Sequence, residues 1–264
     1  MRRFLVIVAI FLLAGCATSP TGRTQLKFFP HSQMAQMGDT AYGKLKKETP
    51  VSKDSSVNQY VQCVAHAITK VVPQSDNTPK KWDVTVFKKD EVNAFALPGG
   101  NIGVYTGLLK VADGQAQLAA VLGHEVGHVL AGHANERLSM VYATNTGLQL
   151  VQALSGKNSA LNGDSVMALL GLGAQVGILL PFSRAQESEA DLIGLKLMAG
   201  AGFDPHASVD LWHNMEQAGG KQPPEFLSTH PSHETRIDDL KQHMDEAMKL
   251  YRQAKADGRS PDCR

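Results

Sequence analysis

Little in this sequence points to nucleic acid, to a membrane-embedded body or to a cysteine-stapled scaffold. Lys and Arg number 26 against 25 Asp and Glu in 264 residues, a formal net charge of +1. No basic excess is available to neutralise phosphates, so no nucleic-acid partner is expected. Three cysteines are too few for a disulfide-dense scaffold. Internal repeats and low-complexity tracts are missing, which excludes solenoid and collagen-like architectures. The apolar stretch Phe4 to Leu13 covers ten residues, short of the roughly 20 that a membrane-spanning helix needs. What remains is ordinary globular material, 43% hydrophobic and 19% charged. The length suits one sizeable core or at most two small domains.

Arg2 and Arg3 precede the apolar run and make it read as the n-region and h-region of a secretory signal. It closes on Leu13-Ala14-Gly15-Cys16, which resembles a bacterial lipobox. The resemblance implies cleavage before Cys16 and a diacylglycerol on its thiol. Residues 1–15 are then a lipoprotein signal peptide, 16–30 a lipidated tether marked by Pro20, Gly22 and Pro30, and 31–264 the folded domain. Removing 1–15 takes two Arg and no acid, so 24 basic residues face 25 acidic ones and the mature charge is −1. Residue 17 is Ala rather than Asp. By resemblance to bacterial lipoprotein sorting, that implies an outer-membrane lipoprotein facing the periplasm, membrane-bound through several acyl chains. Export would place Cys63 and Cys263 in an oxidising space, where they are a candidate disulfide; the alternative for Cys63 is a buried helical thiol.

Helical spacing covers 32–48 and 56–72, the second with Val57, Val61, Val64 and Ile68 on one stripe and a stop at Pro73. Alternation predicts strands at 82–87 and 101–105. Asp113 reads as the N-cap of a helix running to about His133, and further helices are expected near 139–155, 165–180, 183–199, 206–218 and 233–255. Strands come early and helices dominate, so the class is α+β with a small sheet. The apolar stretch Val166 to Leu180 is too short for a span and reads as a buried core helix, with a membrane-touching or gating helix as the alternative.

His124-Glu125-Val126-Gly127-His128 is an HExxH pattern inside an apolar helical run. Residues i and i+4 differ by about 40° in azimuth, so both imidazoles project toward a single ion. Neutral imidazole suits zinc, and Glu125 lies beside it as a base. A catalytic zinc wants a third protein ligand and an open position. His133 has the wrong spacing, and on a continuing helix it would sit about 140° from His128, off the metal face. Ser183 to Asp191 is the better source: Glu187 and Asp191 share a face, so Glu187 can ligate while Asp191 accepts from a ligand imidazole, and Glu189 points elsewhere. A solvated acidic surface face is the plain alternative.

Three blocks carry a resemblance to metallopeptidase family 48, the HtpX and CAAX prenyl protease group, and within it to small bacterial lipoprotein members. They are Asn93-Ala94-Phe95-Ala96-Leu97-Pro98-Gly99-Gly100, Leu122 through His128, and Ser183-Arg184 through Glu187, Ala190 and Asp191, joined by His230-Pro231 with Arg236-Ile237. The likeness spans about 90–237. It implies a mainly helical, zincin-type (gluzincin-like) metalloprotease domain with a small β-sheet, so that 31–264 is a zinc metallopeptidase domain. It also implies one zinc per chain on His124, His128 and Glu187, with Asp191 behind them. His230 matches a family position, and either a fourth ligand or an oxyanion stabiliser is compatible with its place in a loop. Multiple membrane spans, present in HtpX and the prenyl proteases, are missing. His31, His66, His206, His213, His233 and His243 lack a comparable setting and read as surface or packing residues.

The expected chemistry is hydrolysis of polypeptide substrates, with Glu125 moving the proton of a metal-activated water and the strand at 101–105 pairing with an extended peptide if it borders the cleft. The implied function is quality control of unfolded or misassembled envelope proteins. Two alternatives stay open: an assembly or chaperone factor for outer-membrane proteins, working with envelope assembly machinery, and a latent protease held shut by His230.

Overall fold

The computed structural model describes residues 16–75, 78–154, 181–218, 225–230 and 235–263. The expected helix at 165–180 lies outside the described residues. The rest is mostly helical with two small sheets, and among the described residues no helix is long and apolar enough to cross a membrane.

A short antiparallel ribbon of β1 (Cys16–Thr18) and β2 (Thr24–Leu26) opens the chain. Residues expected to be a plain tether are therefore structured. They turn through Ser19, whose N–H donates to the Arg23 carbonyl at 2.8 Å. Two helices follow, α1 (His31–Glu48) and α2 (Ser55–Lys70). Asp54 caps α2 by accepting from the N–H groups of Ser56 and Val57, and Val61, Val64, Ala65 and Ile68 are its buried stripe. Each such branched side chain contributes about 1.5–3 kcal/mol on burial.

The main sheet has the order β3 (Asp83–Phe87), β5 (Asn101–Tyr105), β4 (Ala94–Leu97). β5 runs parallel to β3 and antiparallel to β4, pairing Val84 with Ile102 and Ala96 with Ile102 from its two sides. β4 is the strand that residue patterning did not predict: four apolar residues between Asn93 and Pro98-Gly99-Gly100 are too short a run to show alternation, and pairing with β5 extends them. Its presence corrects a second expectation. β5 is central and buried along its whole length, so it has no free edge for a peptide; that edge belongs to β4.

The central helix is α3 (Gly114–Ala131), buried at every position from Gln117 to His128. Asp113 occupies its N-cap position but makes no side-chain cap bond; instead its N–H donates to Gln117 Oε1 at 2.9 Å. Gly132, at φ +70°, ends the helix in the left-handed region that glycine adopts without strain. A new helix, α4 (His133–Leu154), starts at once. Then come α5 (Arg184–Ala201), α6 (Ala207–Ala218), α7 (Glu225–Thr229), α8 (Arg236–Gln242) and α9 (Met244–Ala256). The single helix expected at 233–255 is thus broken at His243, the C-cap of one piece and N-cap of the next. A reciprocal capping box between Ser183 and Gln186 starts α5.

α3 and α5 cross almost backbone to backbone. A Cβ on Gly123 would lie 2.8 Å from the Gly194 carbonyl oxygen, and one on Gly127 would lie 2.8 Å from that of Ala190. This contact brings the first turns of α5 against the last turns of α3. On the far side, Cys63 of α2 is disulfide-bonded to Cys263, with Cα atoms 5.7 Å apart. The Cys263 N–H donates to Gln115 Oε1, fastening the carboxyl-terminal segment to the start of α3.

Candidate metal centre

On α3, His124 and His128 are one turn apart, and their Nε2 atoms face each other at 3.0 Å. α5 supplies Glu187, whose Oε2 is 3.4 Å from His124 Nε2 and whose Oε1 is 3.5 Å from His128 Nε2. α7 is followed directly by His230, with Nδ1 3.2 Å from His124 Nε2 and 3.1 Å from Glu187 Oε1. All four side chains are buried, and their donor atoms lie within 4.8 Å of one another.

These separations are a direct test of whether a metal fits. Four ligands at about 2.0–2.1 Å from a tetrahedral zinc stand about 3.3–3.4 Å from each other. Five of the separations, taken to the nearer carboxylate oxygen, run from 3.0 to 3.5 Å, and one donor atom from each residue keeps all four within 4.8 Å. Imidazole nitrogens and one carboxylate are also the donor set that zinc takes. The residues fit the ion.

Electrostatics agree with a cation-binding cluster. Burial alone would raise the Glu187 carboxyl, but His230 and hydrogen bonds from His124 and His128 hold it far below the usual carboxylate range. Burial depresses His128 well below an ordinary histidine. His124 is also disfavoured by burial, yet Asp191 and Glu187 outweigh that and lift it to about 9. Metal ligands must be deprotonated, so a cation entering here competes with the proton that the two carboxylates favour on His124.

Behind the ligands, Asp191 Oδ1 lies 2.8 Å from His124 Nδ1. Burial pushes the Asp191 carboxyl up, and Arg236 followed by His124 brings it below its usual range. Arg236 is 1% exposed. Its Nε is 2.6 Å from Asp191 Oδ2, its Nη1 is 2.9 Å from Glu187 Oε2, and its guanidinium lies 3.5 Å above the Trp212 ring. Its place in a sequence block that also held His230 was the available signal for it, though nothing in residue type alone gave it this role.

Glu125 is buried and raised by desolvation, opposed mainly by His230 and His124, with a smaller contribution from an Ala96 backbone hydrogen bond. Its Oε1 accepts no hydrogen bond and lies 3.4 Å from His230 Nε2. The carboxylate therefore sits between the β4 edge and the metal cluster. Phe226 stacks on the His230 ring at 4.5 Å, and Phe182 stacks on both His128 at 3.8 Å and His230 at 5.1 Å. Neither aromatic carries a sequence signal of its own.

His133 and Glu189 differ from expectation. Because α3 stops at Gly132, His133 is not carried round a continuing helix but folds back, its Nδ1 2.8 Å from His128 Nδ1. It lies outside the four-donor group and contacts the far side of a ligand instead. Glu189 points away from the four donors but is buried rather than solvated, with His133 Nε2 at 3.1 Å and Arg23 Nε at 3.0 Å. A cleft of about 430 Å³ beside His128 is walled by Ala96 and Leu97 of β4 on one side and by Lys27, Phe29 and Met34 on another.

Residues 55–244 match the family described as Peptidase family M48. The chain belongs to that family. The match starts well before the blocks at 90–237 that carry the resemblance in residue patterning. Among its relatives is the Mitochondrial metalloendopeptidase OMA1 of Schizosaccharomyces pombe, 35% identical over 214 residues, covering 80% of this chain and 61% of that protein. The corresponding Arabidopsis thaliana protein is 36% identical over 232 residues, covering 85% and 44%. The Beta-barrel assembly-enhancing protease of Escherichia coli (strain K12) is 28% identical over 236 residues, covering 85% and 46%. The chain thus spans between 44% and 61% of the length of these relatives.

Proposed function

We propose that this chain is a zinc-dependent endopeptidase that hydrolyses unfolded or misassembled proteins of the bacterial cell envelope. The observation that carries it is the convergence of the donor atoms of His124, His128 and Glu187, 3.0 to 3.5 Å apart, with Glu125 buried alongside. Bound zinc supplies a polarised water at neutral pH. Glu125, buried beside the cluster with an Oε1 that accepts no hydrogen bond, would act as the base, taking a proton from the attacking water and delivering it to the leaving amine. Asp191 holds the His124 ring by accepting from its Nδ1. An extended substrate pairs with the free edge of β4, beside Glu125. An anchor of acyl chains on Cys16, the first residue of β1, would present the site to the periplasm from the outer membrane.

Three observations support the envelope setting: the lipobox-like Leu13-Ala14-Gly15-Cys16, the Cys63–Cys263 disulfide, which suits an oxidising compartment, and the similarity to a Beta-barrel assembly-enhancing protease. Metal analysis and digestion of casein test the chemistry. Trapping tests the substrate class: Glu125→Gln protein in a bacterial envelope should capture polypeptides that wild type releases. Recovery of the same proteins by both forms would contradict the assignment.

A second reading rests on His230. Its Nδ1 lies among the other donor atoms, so His230 would serve as a fourth ligand, whereas a catalytic site needs one position open. On this reading the described arrangement is a resting state, and His230 must withdraw before substrate is cut. His230→Ala should then keep zinc and gain activity, whereas a loss with zinc retained assigns His230 to oxyanion stabilisation.

A further inference from the structure

We infer that His133 is a positioning residue for the zinc ligand His128, held in its working tautomer by a clasp that the amino-terminal ribbon places on Glu189. The inference rests on the proposed ligation of zinc by His128. A zinc ion takes the lone pair of His128 Nε2, the nitrogen facing the other donors, so the His128 proton resides on Nδ1. That Nδ1 is 2.8 Å from His133 Nδ1, which must accept. The His133 proton then lies on Nε2, which donates to Glu189 Oε2 at 3.1 Å.

Glu189 accepts and cannot reverse the chain, because it is itself surrounded by donors. Thr21 donates to Oε1 at 2.6 Å and Arg23 Nε donates to Oε2 at 3.0 Å. Arg23 continues across to Glu136 with a two-pronged contact, both prongs at 2.6 Å. One guanidinium therefore bridges α4 and α5, the helices that carry His133 and Glu187. The donations converge on Glu189, from His128 through His133 on the metal side and from Arg23 on the ribbon side, and this order leaves the lone pair of His128 Nε2 facing the other donors. His124 has its own carboxylate in Asp191; Glu189, clasped by the ribbon, is the equivalent for His128 through one intervening imidazole.

The device is local to this backbone. It exists because Gly132 ends α3 and returns His133 to the side of the ring it follows. It also makes the ribbon that begins at Cys16 part of the metal site rather than a spacer.

The test uses the full mature chain and four variants: His133→Phe, His133→Asn, Arg23→Leu and His128→Ala. Zinc affinity is measured by chelator competition, the cobalt-substituted absorption spectrum is recorded, and melting of the metal-free form monitors folding. His133→Phe should bind zinc 10–100-fold more weakly and alter the cobalt bands. His133→Asn, whose Oδ1 can accept from His128 Nδ1, should recover most of the affinity and the wild-type spectrum. Arg23→Leu should shift zinc affinity in the same direction as His133→Phe by a smaller factor, with the metal-free melting point changing less than the affinity. Wild-type affinity and cobalt bands in both His133→Phe and Arg23→Leu would overturn the positioning role while leaving the ligand assignment intact. Wild-type zinc affinity in His128→Ala would overturn the ligand assignment itself. If His133→Phe does not fold, wild-type values in Arg23→Leu alone overturn the clasp.

Discussion

A Cβ placed on Gly194 would lie 2.6 Å from the backbone nitrogen of His124. The metal site is therefore set by how closely two helices approach, and that approach depends on the small residues where α3 and α5 cross. Gly194→Ala should push the helices apart, costing about 1–3 kcal/mol as an overpacked core does. Glu187 would move from the two histidines with it. Thermal melting and zinc content should fall together; a stable, fully metallated variant would show that the crossing has slack.

Arg236 should be indispensable to the apo fold. It lies between two buried carboxylates, those of Glu187 and Asp191, and removing it leaves Asp191 with His124 and Glu187 with the histidines as their remaining partners. Breaking a buried ion network of this kind typically costs on the order of 3–5 kcal/mol. Arg236→Met keeps much of the volume and isolates the charge. Its melting curve in the presence of chelator should show the loss, and zinc should restore part of it by supplying the missing positive charge.

Acid should release the amino-terminal ribbon before it unfolds the core. Burial pushes the Glu136 carboxyl up, but hydrogen bonds from Arg23 and then Gln186 bring it below its ordinary value of 4.5. A depressed carboxyl contributes stability that is present above 4.5 and is lost as pH falls through the lower folded value. Hydrogen exchange at residues 17–27 should therefore accelerate below about pH 4.5, and Arg23→Leu should remove that pH dependence. Unchanged protection down to pH 3 in wild type would refute the link.

Reduction of Cys63–Cys263 should lower stability without touching the metal. The bridge closes a loop of 200 residues, for which chain entropy gives about 5 kcal/mol and measured gains are commonly about 2–4. Cys63→Ser should melt earlier yet bind zinc as wild type does. Two alkylatable thiols in unreduced, denatured protein would show that the bridge does not form.

Much of the site is legible in the residues because it obeys helical spacing. His124 and His128, and Glu187 and Asp191, are each one turn apart, and the structure places them around one point. Features that depend on where a helix stops are not legible in that way. His133 looked remote only under a helix assumed to pass Gly132. β4 is a four-residue apolar run between turn residues and became a strand through its partner. Arg23 and Glu189 lie 166 residues apart in sequence, and no local pattern ties them. The ribbon of β1 and β2 likewise gains its structure from the helices beneath it, so its Pro and Gly content read as a linker.

Glu125 offers the most direct test. Replacing its carboxylate by an amide of the same shape removes the base and leaves the donors His124, His128 and Glu187 untouched. Zinc per chain and the rate of casein cleavage should be measured side by side in wild type and Glu125→Gln. One zinc in both proteins, with cleavage reduced by about 10²–10⁴-fold or more in the variant, is the predicted result. Wild-type cleavage by Glu125→Gln, or no zinc in either protein, would contradict it.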